Sequence, residues 1–230
     1  MLSYYKCSLT TFRNSGNVNI TDRKRVHGRS TCHISWDVAG THLIAVSYWD
    51  SKITTFKVDS ESGALGEAVH VYSDPGAGYV DSHCPDRWEH LAHRQRWPHL
   101  HQVNLDPYTR RMFLVPDLGR DMIQFFSISE GQVTHLGSQQ LRGGAGPRHL
   151  EFSKTGRVVY VCGELDNTVS VLRYNIEAAD LVTKGGYLGD TMTEDQEHSI
   201  LTQVQVLSSV PSDLETKSTI AEMRLHPSGR

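Results

Sequence analysis

No stretch of this chain approaches the roughly 20 consecutive apolar residues that a membrane helix needs. Its first residues, Met1 to Phe12, are polar and have none of the apolar core of a secretion signal. A membrane is therefore not an expected partner, and a cytoplasmic location is expected. Charge of one sign is missing too: 23 basic residues face 26 acidic ones, for a formal net charge of −3. Such balance leaves no broad electrostatic footprint for nucleic acid. Cysteine is scarce. Cys7, Cys32, Cys84 and Cys162 form no Cys-x-x-Cys pair, and 230 residues are too many for a disulfide-stapled mini-protein. Free thiols in a reducing compartment are the expectation. The chain also has no GxSxG nucleophile turn and no convincing amphipathic helical stretch.

What the chain does have is a repeat. HISWDVAGTHLIAVSYWDSKITTFKVD (His33–Asp59), HQVNLDPYTRRMFLVPDLGRDMIQFFSI (His101–Ile128) and RHLEFSKTGRVVYVCGELDNTVSVLRYN (Arg148–Asn175) share one pattern. Each gives a short apolar strand, a turn, a second apolar strand, a polar turn and a third strand that alternates or is β-branched. The turns DVAG, DPYT and SKTG have the Asp/Ser, Pro and Gly chemistry of tight reversals. Fourth strands are expected at Val133–Leu141 and Ser199–Leu207, and a further copy opens at Ala221 with AEMRLHPSGR. Tyr4 to Ile20 can supply outer strands of another, damaged unit. Four antiparallel strands per repeat are the signature of propeller blades. A generic β-sandwich is the rival. The expectation is an all-β, incomplete β-propeller: one partial domain over 1–230, with units near 33–66, 101–141, 148–207 and an unfinished one from 221. That is about four to five blades in an open ring. Because Arg224 and Leu225 lack a partner strand, the chain reads as a fragment.

Antiparallel pairing puts the start of each first strand and the end of each second strand at the same end of a blade. These positions hold His99, His101 and Asp117 in the second unit, Arg148, His149 and Glu164 in the third, and Glu222 and Arg224 in the fourth. In a propeller the first strands line the central channel, so all are expected at one mouth of it. Arginine binds carboxylate or phosphate oxygens bidentately and can stabilise an oxyanion. Histidine and glutamate move protons near neutral pH. The chemistry implied is acid–base, with water as the nucleophile. His90, His93, His99 and His101 have spacings compatible with zinc, yet EHLAH is not HExxH, and no metal is expected. The segment Val71–Trp97, rich in His, Gly and Asp, is long enough to fold over the channel mouth.

Four segments carry a resemblance. RQRWPHLHQVNLDP (Arg94–Pro107), PDLGRD (Pro116–Asp121), the block from Gly144 to Val171 and IAEMRLHPSGR (Ile220–Arg230) occur in the order found in the 6-phosphogluconolactonase / carboxymuconate-cyclase family of seven-bladed lactonases. The resemblance implies a propeller enzyme without cofactor or metal, acting on a small anionic lactone or carboxylate. It places the catalytic roles on His99 or His101, Arg148, Glu164 and Arg224. Arg94, Asp117, His149 and Glu222 remain as substrate-binding candidates. Hydrolysis of 6-phosphogluconolactone is the favoured activity. Lactonising cyclisation of a carboxymuconate, or a non-catalytic interaction platform, are the alternatives. One departure is plain: Gly163 stands where the family carries asparagine before the glutamate.

Overall fold

The computed structural model describes residues 7–14, 18–74, 92–186, 199–212 and 218–229. It contains three four-stranded antiparallel sheets, each pairing its strands in chain order. The first holds β3 (Thr31–Trp36), β4 (His42–Ser47), β5 (Lys52–Val58) and β6 (Leu65–Ser73). The second holds β7 (Asn104–Leu105), β8 (Met112–Asp117), β9 (Met122–Ser129) and β10 (Gln132–Gln140). The third holds β11 (Pro147–Phe152), β12 (Val158–Gly163), β13 (Thr168–Tyr174) and β14 (Leu201–Ser208). Before them β1 (Ser8–Asn14) and β2 (Val18–Arg25) form a hairpin. Of the long segment from Val71, residues 71–73 finish β6, and 75–91, including His90, lie outside the described residues.

The second strand of each sheet is the key to the packing. Successive side chains of a strand point to opposite faces. In β8 all six residues are buried, because both faces are covered. Met112 and Leu114 pack towards the third sheet with Leu150, Val159 and Leu172. Phe113 and Val115 pack the other way, with Ile44, Val46 and Ile53 of the first sheet. The same alternation in β4 sends Leu43 and Ala45 to a core with Val26, Phe56 and Leu65. Each apolar core thus lies between consecutive sheets, as between propeller blades. These cores make an open arc, for the third sheet ends with an outer strand exposing Val204, Val206 and Leu207.

Two features depart from expectation. A helix, α2 (Ile176–Thr183), occupies the connection between β13 and β14. Asn175 caps it, its side chain accepting from Ala178 N at 3.0 Å, and Ile176, Ala178 and Ala179 join the core beside Tyr174 and Leu201. Two turns are too short a window for helical periodicity to stand out. The expected first strand of the second unit is also broken. Only β7 and an isolated bridge, Leu100 to Asp117, pair with β8. Between them the chain pairs elsewhere: Val103 N donates to His33 Nδ1 at 3.4 Å, and Gln102 Oε1 accepts from Leu150 N at 2.7 Å. Residues 218–229 run alongside the third sheet, where the Arg224 guanidinium donates to Glu151 Oε1 at 2.8 Å.

Candidate active site

The turns after β4, β8 and β12 are alike. Tyr48–Ser51, Leu118–Asp121 and Glu164–Asn167 each span four residues, and the fourth of each has positive φ (46°, 54° and 55°). Asp and Asn tolerate that left-handed region better than most residues. Repeating the turn brings its first residue to the same end of every sheet. There Tyr48 of the first sheet meets Glu164 of the third, linked by Arg94 from the short helix α1 (Ala92–Gln95).

Glu164 is the centre of the cluster. It is 9% exposed, with Arg94 Nη2 2.5 Å from Oε1 and Arg148 Nε 3.0 Å from Oε2. Arg94 also donates to the Tyr48 hydroxyl at 3.3 Å. A carboxylate gripped from both sides by guanidinium groups is a charge-assisted arrangement that fixes geometry as well as charge. Both arginines are set by one further residue. Asp121 accepts from Gln95 Nε2 (2.8 Å), beside Arg94, and from Gly144 N and Gly146 N (2.7 Å each), in the turn that leads to Arg148.

The histidines line the same end. His99 is stacked on Tyr48, ring centroids 4.3 Å apart and nearly parallel. Its Nδ1 lies 3.1 Å from the Tyr48 carbonyl. A carbonyl only accepts, so Nδ1 carries the proton and Nε2 keeps its lone pair. His101 and His149 sit edge to face at 5.1 Å, and His33 stands 6.0 Å from His149. Buried nitrogens without a hydrogen-bond partner recur here: His99 Nε2, His101 Nδ1 and His149 Nδ1. Glu222 Oε2 approaches the last to 2.9 Å, outside the hydrogen-bonding direction. Burial lowers the pKa of all of them. It pushes His101 down to about 3, with help from Arg148 and His149, and His33 to about 4. His99 and His149 shift the same way for the same reason. At neutral pH the cluster is therefore uncharged imidazole beside fixed cations.

The remaining candidates are placed differently. Asp117 is fully buried, and burial raises its carboxyl to about 6. Its oxygens accept from His99 N at 2.8 Å, Gly119 N at 3.1 Å and Gln124 Nε2 at 2.7 Å. It holds the backbone under His99 instead of opening towards a ligand. Arg224 is the most exposed of the set, at 65% of its side chain. It pairs with Glu151 and with Glu222 Oε1 (3.0 Å), away from Glu164. Glu222 itself lies between Arg224 and His149. Tyr48, Asp121 and His33 were not singled out in the sequence, although Tyr48 occupies in YWDS the place of Glu164 in ELDN. Among the described residues no three His, Cys, Asp or Glu side chains are arranged to hold a metal ion, and Cys7, Cys32 and Cys162 are free thiols.

The model of the family described as lactonase, 7-bladed beta-propeller, matches residues 4–186. The chain belongs to that family. Among curated members it is 27% identical over 218 residues to a 6-phosphogluconolactonase of Bacillus subtilis, covering 95% of this chain and 53% of that one. It is 32% identical over 143 residues to a probable 6-phosphogluconolactonase of Arthroderma benhamiae, covering 60% of this chain and 30% of that one. Among solved structures of the lactonase type, the periplasmic gluconolactonase of Pseudomonas aeruginosa superposes with a TM-score of 0.74 at 22% identity, over 97% of this chain and 55% of that one. That likeness supports the seven-bladed propeller fold. This lactonase-family chain spans about half the length of the curated relatives it matches. No helix among the described residues is long and apolar enough to cross a membrane.

Proposed function

We propose that the protein hydrolyses a sugar-acid lactone, with 6-phosphogluconolactone as the substrate and 6-phosphogluconate as the product, at the mouth of the channel formed by the first strands. The observation that carries this reading is the Arg94–Glu164–Arg148 cluster beside buried imidazole nitrogens that have no partner. Partnerless buried polar atoms cost of the order of 1–3 kcal/mol each, and a site that receives a polar ligand accounts for them. The names of the relatives point to the same reaction, and a cytoplasmic location goes with that reading.

The chemistry follows from the residue types. His99 or His101, each with a buried ring nitrogen that has no hydrogen-bond partner, is the base that takes a proton from water as its oxygen bonds to the lactone carbonyl carbon. The carbonyl electrons move onto oxygen, where Arg148 stabilises the charge. Glu164 keeps that guanidinium oriented. Collapse of the tetrahedral intermediate breaks the ring C–O bond, and the departing oxygen takes the proton from the imidazolium. Arg224, with most of its side chain exposed, meets the phosphate. No metal or cofactor takes part.

The test is hydrolysis of freshly made 6-phosphogluconolactone at neutral pH, measured above its spontaneous opening. Wild-type protein should accelerate the reaction, and Arg148→Ala should lose about 100-fold or more while unfolding as the parent does. Equal rates for the two, or no acceleration by either, would leave a non-catalytic propeller.

A further inference from the structure

The opposite ends of the strands form a second site. From Ser47 back to His42, β4 leads about 17 Å away from the arginine–glutamate cluster. Between the first and second sheets there opens a groove of about 880 Å³. Pockets of this size hold small organic ligands. Its apolar surface comes from Val38, Val69 and Ile128, and its cations are Lys57, Arg110 and Arg111.

Hydrogen bonds tie the walls of the groove. The Thr55 hydroxyl donates across the sheets to Gly131 O at 2.6 Å, and Val133 N donates to His70 Nδ1 at 3.0 Å. These bonds join β5 and β6 to the β9–β10 turn and the start of β10. On the other wall Asp37 accepts from Thr41 N (2.7 Å) and His42 N (2.9 Å), with His42 Nδ1 3.1 Å from its second oxygen. Asp37 is therefore committed to its own turn. Glu130 is the other acid in the lining. Against it stand three exposed cations whose side chains make no ion pair or hydrogen bond with the described residues. Arginines of the other end are paired instead: Arg94 and Arg148 with Glu164, Arg120 with Asp74, Arg224 with Glu151.

We propose that this inter-blade groove binds an amphipathic organic anion. Its carboxylate or phosphate head is held by Lys57, Arg110 and Arg111, and its apolar body lies against Val38, Val69 and Ile128. The site is separate from the one that would open a lactone, and it stands whether or not that reading does. Pre-formed walls lower the ordering cost of binding, and planar guanidinium groups match either head bidentately.

Isothermal titration of the whole protein with 1-naphthylacetate tests this, with the neutral 1-naphthylacetamide as the charge control. Wild-type protein should bind one acetate per chain, and the amide at least tenfold more weakly. Lys57→Ala/Arg111→Ala, which changes exposed side chains only, should weaken the acetate at least tenfold. Arg148→Ala should bind it as wild type does. No binding, equal binding of acetate and amide, or affinity unchanged in the double variant overturns the proposal. So does loss in Arg148→Ala, which would move the anion to the other end of the strands.

Discussion

Acidification should unfold this protein by a route that two buried groups pull in opposite directions. His101 titrates near 3 in the fold, against about 6.5 in an unfolded chain. Its folded pKa is depressed, so the fold favours the neutral form. That contribution is complete above pH 6.5 and is lost as pH falls towards 3, because the unfolded chain takes up a proton that the folded one refuses. Between pH 7 and 4.5 the loss approaches two pH units, or about 2.5 kcal/mol. Asp117 behaves in the opposite sense. Burial raises it to about 6, from about 3.9 when unfolded. Below pH 6 the folded protein holds a proton that the unfolded chain does not, and by pH 4.5 this returns about 2 kcal/mol. Against a total stability of the order of 5–15 kcal/mol, each is large enough to measure.

Urea unfolding at pH 7 and pH 4.5, followed by tryptophan fluorescence, separates them. His101→Gln cannot titrate and should lose about 2.5 kcal/mol less than wild type across that interval. Asp117→Asn removes the compensating proton and should lose about 2 kcal/mol more. If both variants lose as much as the parent, neither group is buried and shifted as described, and the neutral-imidazole account of the cluster falls with it.

Two further substitutions probe how the site is held. A Cβ on Gly119 would stand 1.8 Å from Trp97 O and 3.1 Å from His99 N, both backbone atoms. Gly119→Ala should therefore cost about 1–3 kcal/mol or more of stability in urea unfolding, and a neutral outcome would mean that the Trp97–His99 segment is not packed on this turn. Asp121→Asn replaces an acceptor of three hydrogen bonds by a group that must present a donor to one side. It should cost about 2–3 kcal/mol and, well below its melting temperature, at least tenfold in lactone hydrolysis with the fold intact. Unchanged turnover would remove Asp121 from the positioning of Arg94 and Arg148.

The repeat made much of this readable in advance, and the limits of reading follow from the same source. Strands of period two with Asp, Pro and Gly turns locate the three sheets, because those signals are local. Convergence of Arg148, His149 and Glu164 with His99 and His101 is not local, yet it follows once the repeats are put in register, since antiparallel pairing assigns each position to one end of its blade. Tyr48 was open to the same logic: YWDS, LGRD and ELDN are one turn written three times, and its first position faces the cluster from the first and third sheets. What register cannot reveal is which member of an equivalent set turns inward to hold backbone. Asp117 sits at the end of β8 much as Gly163 ends β12, yet its carboxylate is consumed by the amides of His99 and Gly119. Gly163 leaves no room for any side chain, with a Cβ there 2.4 Å from Asp166 Oδ1 and 2.8 Å from Ala145 O. A side chain there, the asparagine of the family resemblance included, would need the Gly144–Gly146 turn to move. Since Asp121 anchors that turn through two amides, the absence of a side chain at Gly163 and the placement of Arg148 are linked: a Cβ at 163 would press on the turn that leads to Arg148.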